Sequence, residues 1–134
     1  MEIRKIALRC ALAWLVGTAA VAPALAQDTS YRSTGAQHLY DAYQQRIYKG
    51  QLPPLLYAIA ITETEIDENG NVVSAVVVRE PAAAKEVGPW VVSLIKAASP
   101  FPKPGRTGRT TYRDIWLVDQ SYTFQLDTLT EGQL

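Results

Sequence analysis

The order of apolar patterns predicts an α+β domain: a two-layer sandwich with a three-stranded antiparallel sheet and two helices on one face, in the order α-β-β-α-β. Three observations predict it. Apolar residues recur at intervals of three and four in two separate stretches, 36–47 and 90–98. Between them lie two β-rich runs divided by Asn69-Gly70. A third β-rich run, from Thr111 to Leu129, follows the second helical stretch. Helices that flank strands in this order bury their apolar stripes against one face of a sheet.

The chain opens with an address. Arg4, Lys5 and Arg9 make a positive start, an apolar run extends from Cys10 to about Ala22, and Ala24 and Ala26 set small residues in an A-x-A arrangement. A basic start, a short apolar core and small residues before the cut describe a secretory signal peptide. The run is shorter than the ~20 residues that span a bilayer. Residues 1–26 are read as the signal peptide, with an uncleaved inner-membrane anchor as the alternative. Their removal leaves 108 of the 134 residues, enough for one small domain. Cys10, the single cysteine, leaves with them, so the mature chain has no disulfide, thiol nucleophile or thiolate metal site. Subtracting Glu2 and the three basic residues leaves 12 acidic against 10 basic side chains, a net charge near −2 that argues against nucleic acid as a partner.

Residues 27–35 are polar and read as a flexible leader, and 130–134 as a tail. From Ala36 the apolar positions Leu39, Tyr40, Tyr43 and Ile47 keep helical spacing, with Ser33 or Thr34 as the cap and Gly50 as the stop. Pro53 and Pro54 forbid further helix. The runs 56–67 and 72–79 alternate as strands, and Asn69-Gly70 suits a type I′ hairpin turn because both residues tolerate positive φ. Gly88-Pro89 marks the threshold of the second helix, whose face carries Trp90, Val91, Leu94, Ile95 and Ala98. The last run is too long for an ordinary strand, so it forms one long strand or one bent near Asp119-Gln120; Trp116, Val118, Tyr122, Phe124 and Leu126 share a parity.

Between the second helix and the last strand the chain reads Pro100-Phe101-Pro102-Lys103-Pro104. Pro100 stops the helix, and Pro102 and Pro104 keep the connection stiff and extended. A stiff connector holds Phe101 in one place, under the helix end and against the sheet. The spacing contains no PxxP, which argues against a ligand for Pro-binding domains.

Catalytic and metal motifs are weak. His38 and Asp41 stand three apart on the first helix, as a general base and its partner would; a surface polar pair is the plainer reading. Asp67, Asn69 and Asn71 begin like a calcium loop, but Val72 and Val78 stand where such a loop needs Gly and Glu. Gly105-Arg106-Thr107-Gly108, with Lys103 and Arg109 nearby, has the composition of a phosphate cradle without a helix to follow it. No Ser stands in a G-x-S-x-G context. The chain is therefore expected to be non-enzymatic and to need no cofactor and no metal. What remains is backbone: an edge strand can take on another strand. The last strand, as a sheet margin, is the expected partner-binding element, through Trp116, Val118, Gln120, Ser121, Tyr122, Thr123 and Phe124.

Ile66-Asp67-Glu68-Asn69-Gly70-Asn71-Val72, then the amphipathic helix, then Phe101-Pro102-Lys103-Pro104, resemble in order and spacing the TonB C-terminal-domain family, over roughly residues 55–126. Asn69, Gly70, Phe101, Pro102 and Pro104 carry its structural motifs. The resemblance implies a TonB C-terminal-like domain over 36–129, a periplasmic location, and capture of an extended partner segment by the last strand. Leu52-Pro53-Pro54-Leu55 replaces the family's usual entry into the first strand. The roughly nine polar residues between signal and first helix reach only ~30 Å when extended, too short a spacer for an anchored energy transducer. The expectation is an exported protein-interaction module, with a protein partner or a homodimer through an edge strand. The alternatives are an anchored transducer for outer-membrane transport and a small periplasmic enzyme using His38. N-terminal sequencing of protein from the producing cell should read Gln-Asp-Thr; intact Met1 in the membrane fraction would show an anchor instead.

Overall fold

The computed structural model describes residues 29–54 and 56–132; the signal peptide assigned to 1–26 lies outside the described residues. Helix α1 covers Thr29–Ala42, so it starts seven residues before Ala36, inside the stretch expected to be a leader. Tyr31 is the reason. With Gly35, Ala36 and Leu39 it completes a buried stripe at helical spacing. Its ring meets Tyr112 edge-on at 5.5 Å, and its hydroxyl donates to the Pro102 carbonyl at 2.5 Å. The helix also stops early. Tyr43 leaves helical geometry, a 3₁₀ turn covers Gln44–Arg46, and Ile47 is extended.

Strands β1 (Ala58–Ile66) and β2 (Val72–Arg79) form the expected hairpin, with a different turn. Tyr122 is the one non-glycine with positive φ among the described residues, so Asn69 does not adopt the type I′ geometry; Gly70 alone does, at φ 90°. The Gly70 N–H closes the turn on Asp67 O at 3.0 Å. The Asp67 carboxylate accepts the N–H groups of Asn69 and Asn71, both at 2.9 Å, and these bonds hold it below the usual carboxylate range, the Asn71 N–H foremost.

Helix α2, Val87–Ala97, takes Gly88 and Pro89 into its first turn and buries Val87, Gly88, Val91 and Ile95. Trp90, Leu94 and Ala98 are half-buried against the same core. The final β-rich run is the main correction to the predicted fold. It divides into β3 (Thr110–Val118) and β4 (Phe124–Leu126), which pair as an antiparallel hairpin. The break falls at the expected place, but the chain reverses there. Asp119 draws the turn shut: its carbonyl accepts Tyr122 N–H at 2.9 Å, and its carboxylate accepts Ser121 N–H and hydroxyl at 3.1 and 2.8 Å. The sheet thus has four strands, not three, in the order β2-β1-β3-β4, all antiparallel.

Both helices cover one face of the sheet, α2 against β2 and β1 and α1 against β3. Tyr112, Asp114, Trp116 and Val118 of β3 turn to this face, as do Ala60, Thr62, Thr64 and Ile66 of β1, and all are buried. Trp116 Nε1 donates to Thr62 Oγ1 at 3.0 Å, which satisfies the one polar atom of the largest core side chain.

The proline connector is tied down from three sides. Phe101 is 3% exposed. Its N–H donates to Gly70 O at 2.7 Å, and Ser99 Oγ accepts the Val72 N–H at 3.0 Å. Its ring meets that of His38 at 4.4 Å, tilted by 46°, and lies 6.4 Å from Tyr112. Gly70 is required here twice over, by its φ and because a Cβ would stand 1.9 Å from Phe101 O. Phe101→Ala should cost ~3 kcal/mol or more in a denaturant titration, as buried aromatic truncations do. Exposed Lys103→Ala should cost within ~0.5 kcal/mol. Equal small losses at both positions would refute the pinning role of the connector.

Candidate partner-binding edge

Which sheet edge is free follows from the ladder. Asp119 N–H donates to Thr123 O at 2.9 Å, in register with the β3–β4 pairs. In an antiparallel ladder such bonded pairs recur every second residue, so Leu117 faces β4 and the even residues of β3 face β1. Their partners Ala58, Ala60, Thr62, Thr64 and Ile66 face β3, so the odd residues of β1 face β2. Glu63 and Glu65 pair with Val76 and Ser74, which therefore turn their backbone groups inward. Ala75 and Val77 are left with N–H and C=O directed out of the sheet. Two bonds check this phase: Asp67 N–H donates to Asn71 O at 3.0 Å, and the outward Val72 N–H goes to Ser99.

The β2 edge has little to discourage pairing. Val72 to Val78 carry no charge, proline or glycine. Irregularities in the register fall beside Val73 and Val78, at either end of the regular stretch. Val76 is 48% exposed, Val73 and Val78 are 41% and Ile59 of β1 is 45%. A groove of about 570 Å³ lined by Leu56, Ile59, Arg79 and Pro81 continues from the end of the strand. On the sheet face opposite the helices, at the end away from Ile59, Glu63 pairs with Arg113 and Glu65 with Arg109, at 3.0 and 3.4 Å.

The other edge, where partner binding was expected, is closed. Ile47 makes a parallel bridge with Phe124, and Tyr48 N–H donates to Phe124 O at 2.9 Å. Gln125, 1% exposed, makes four bonds: its amide nitrogen donates to Tyr48 O and Gly50 O at 2.8 and 2.7 Å, and its oxygen accepts from Thr130 Oγ1 and Glu131 N–H at 2.8 and 3.1 Å. Trp116, Val118 and Phe124 are fully buried; Gln120 and Ser121 are exposed in the turn, and Tyr122 and Thr123 half-exposed. The seven residues do not form one edge, because the hairpin puts β3 inside the sheet. Tyr122 has a local role. Its hydroxyl and that of Tyr57 both donate to Glu86, the former at 2.9 Å, and its ring meets Trp90 at 5.0 Å. These bonds lower Glu86, Tyr57's foremost, and push Tyr57 up to about 12.

The catalytic and ligand candidates are occupied by structure. His38 Nε2 lies 2.8 Å from the Ala98 carbonyl, which can only accept, so that nitrogen carries the proton. Asp41 accepts from Gln37 at 3.0 Å and is not joined to His38. The Asp67 carboxylate is spent on its own hairpin. At the proposed phosphate cradle Glu68 already accepts the Gly108 N–H at 2.8 Å, and Arg109 is paired with Glu65. Among the described residues no group of His, Cys, Asp and Glu is arranged to hold a metal, and no helix is long and apolar enough to cross a membrane.

One titratable group escaped the sequence reading. Asp114, 2% exposed, faces α1 from β3. Arg32 Nε approaches Asp114 Oδ1 only to 3.8 Å, while Arg32 also reaches Asp127 at 3.5 Å, and Asp114 Oδ2 has no hydrogen-bond partner. Its position on a strand that alternates buried and exposed residues was the available signal.

Comparison with family models, with curated proteins and with solved structures finds no match to this chain, so the likeness to the TonB family rests on the quoted motifs.

Burial raises the Asp114 carboxyl from 3.8 to about 7, against the opposing pull of Arg32. Between those values the folded state holds a proton that the unfolded state has released. This contribution to stability is full below pH 3.8 and is lost as pH rises through 7. The slope is on the order of 1 kcal/mol per pH unit. Asp114→Asn should flatten urea midpoints measured from pH 5 to 8; parallel profiles for the two proteins would show that Asp114 does not titrate in this window.

Proposed function

We propose that this chain is an exported, periplasmic, non-enzymatic protein-interaction module that takes up an extended protein segment by strand addition at the β2 edge. The observation that carries the reading is the pair of outward rungs at Ala75 and Val77 on an uncharged, half-exposed strand. Unpaired backbone groups in a row bind an extended chain through the main chain, and exposed side chains beside them select it. The signal-like start and the TonB-like motifs support export and the family's style of partner capture. In this chain the role moves from the last strand to the other margin, because β4 and Gln125 close the first.

Proline at Ala75 or Val77 removes an N–H that the isolated fold leaves unbonded, so folding should survive better than binding. Ala75→Ser and Val77→Thr keep that N–H. Once a partner is isolated from the periplasmic fraction, its affinity for folded proline variants should fall about tenfold or more, with the Ser and Thr variants nearly unchanged. Should both proline variants unfold, Val76→Lys, placed on the exposed face, supplies the comparison. Unchanged affinity in the folded variants would overturn the reading.

A further inference from the structure

We propose that the strand taken up by β2 is β2 of a second copy, antiparallel and centred on Val76, so that two four-stranded sheets become one of eight strands. The inference rests on the strand-addition reading and names its occupant. Ala75 and Val77 are equidistant from Val76, and a two-fold axis through Val76 sets Ala75 of one copy opposite Val77 of the other. Both carry outward backbone groups, so each such pair exchanges two bonds. Val76, whose own backbone faces β1, then meets Val76 of the second copy as a non-bonded pair, the closer kind of side-chain contact.

Charge suits the same arrangement. Because the pairing is antiparallel, the Arg79 end of each strand lies beside the hairpin end of the other, which carries Asp67 and Glu68. Glu80, the acid next to Arg79, is turned away toward Gly88 at the start of α2. Between these ends neither strand carries a charge from Val72 to Val78, so the pairing opposes no like charges. A partner strand with charged side chains would desolvate them against Val73, Val76 and Val78; this chain's own β2 has none to desolvate. The two-fold axis also brings Val76, the most exposed large apolar side chain of the edge, against its own copy.

The test is the oligomeric state of the purified protein by sedimentation equilibrium across the micromolar range, together with cysteine cross-linking in a Cys10→Ser background, so that any uncleaved precursor brings no thiol of its own. A dimer is expected. Val76→Lys should weaken it about tenfold or more while leaving the thermal transition in place. Val76→Cys should form a disulfide-linked dimer under copper-phenanthroline, since non-bonded antiparallel partners have Cα atoms ~4.5 Å apart, within disulfide reach. Ser74→Cys should not cross-link to itself, because the register opposes it to Val78. A monomer throughout the range, a dimer indifferent to Val76→Lys, or cross-linking at Ser74 in place of Val76 would each overturn the proposal. Strand addition itself stands or falls separately, on the proline comparison with an isolated heterologous partner.

Discussion

The backbone contact between Phe101 and Gly70 is the constraint on which the rest of the fold depends. Through it the chain returning from α2 is bonded to the β1–β2 turn before it enters β3. The connector then holds its neighbours in place. Ser99 takes the first outward N–H of β2, that of Val72, Pro102 takes the Tyr31 hydroxyl, and the Phe101 ring lies against His38. Three prolines limit the conformations this segment has to lose on folding, so the contacts are made at a smaller entropic cost than a flexible loop would incur. Two elements far apart in sequence, α1 and the hairpin, are thereby held to one end of the sheet.

The two margins of that sheet are treated unequally. On the β4 side the amide of Gln125 satisfies four partners at once, and segments before β1 and after β4 wrap over the edge. A buried amide with every valence used is stabilising; with one partner missing it would be a liability. On the β2 side the connector covers only Val72, and the next residues are left with open rungs. Proteins usually blunt such margins with charge, proline or a covering segment. Here proline comes only at Pro81, after the strand has ended, and the contrast with the sealed edge is what makes β2 the candidate site.

Asp114 shows what the packing tolerates. Its carboxyl is buried opposite Thr62 with Arg32 at 3.8 Å and one unpaired oxygen. Burial without full hydrogen bonding raises the cost of ionisation, and the group moves toward neutrality near physiological pH in response. Arg32, shared with Asp127, links the first helix to the segment after β4. The same helix turn that the composition of 27–35 made look unstructured is therefore held by one aromatic and one charge.

The sequence by itself determined the α+β class, the β1–β2 hairpin, the start of α2 beside Gly88-Pro89, and the burial of Phe101. Each rests on local chemistry: alternation, a glycine with positive φ, proline's missing donor, an aromatic between prolines. The same local rules left His38 and Asp67 as ordinary polar groups. Only the tertiary structure decided that α1 begins at Thr29, because Tyr31 acquires its helical role from Tyr112 and Pro102, more than seventy residues away. It also decided that the last β-rich run is two strands, since parity is the same for a long strand and for a tight hairpin whose arms keep one face buried. And it decided which edge is free. A strand's place in a sheet depends on what pairs with its far side, and for β4 that is Ile47 and Tyr48, residues whose own pattern suggested the end of a helix.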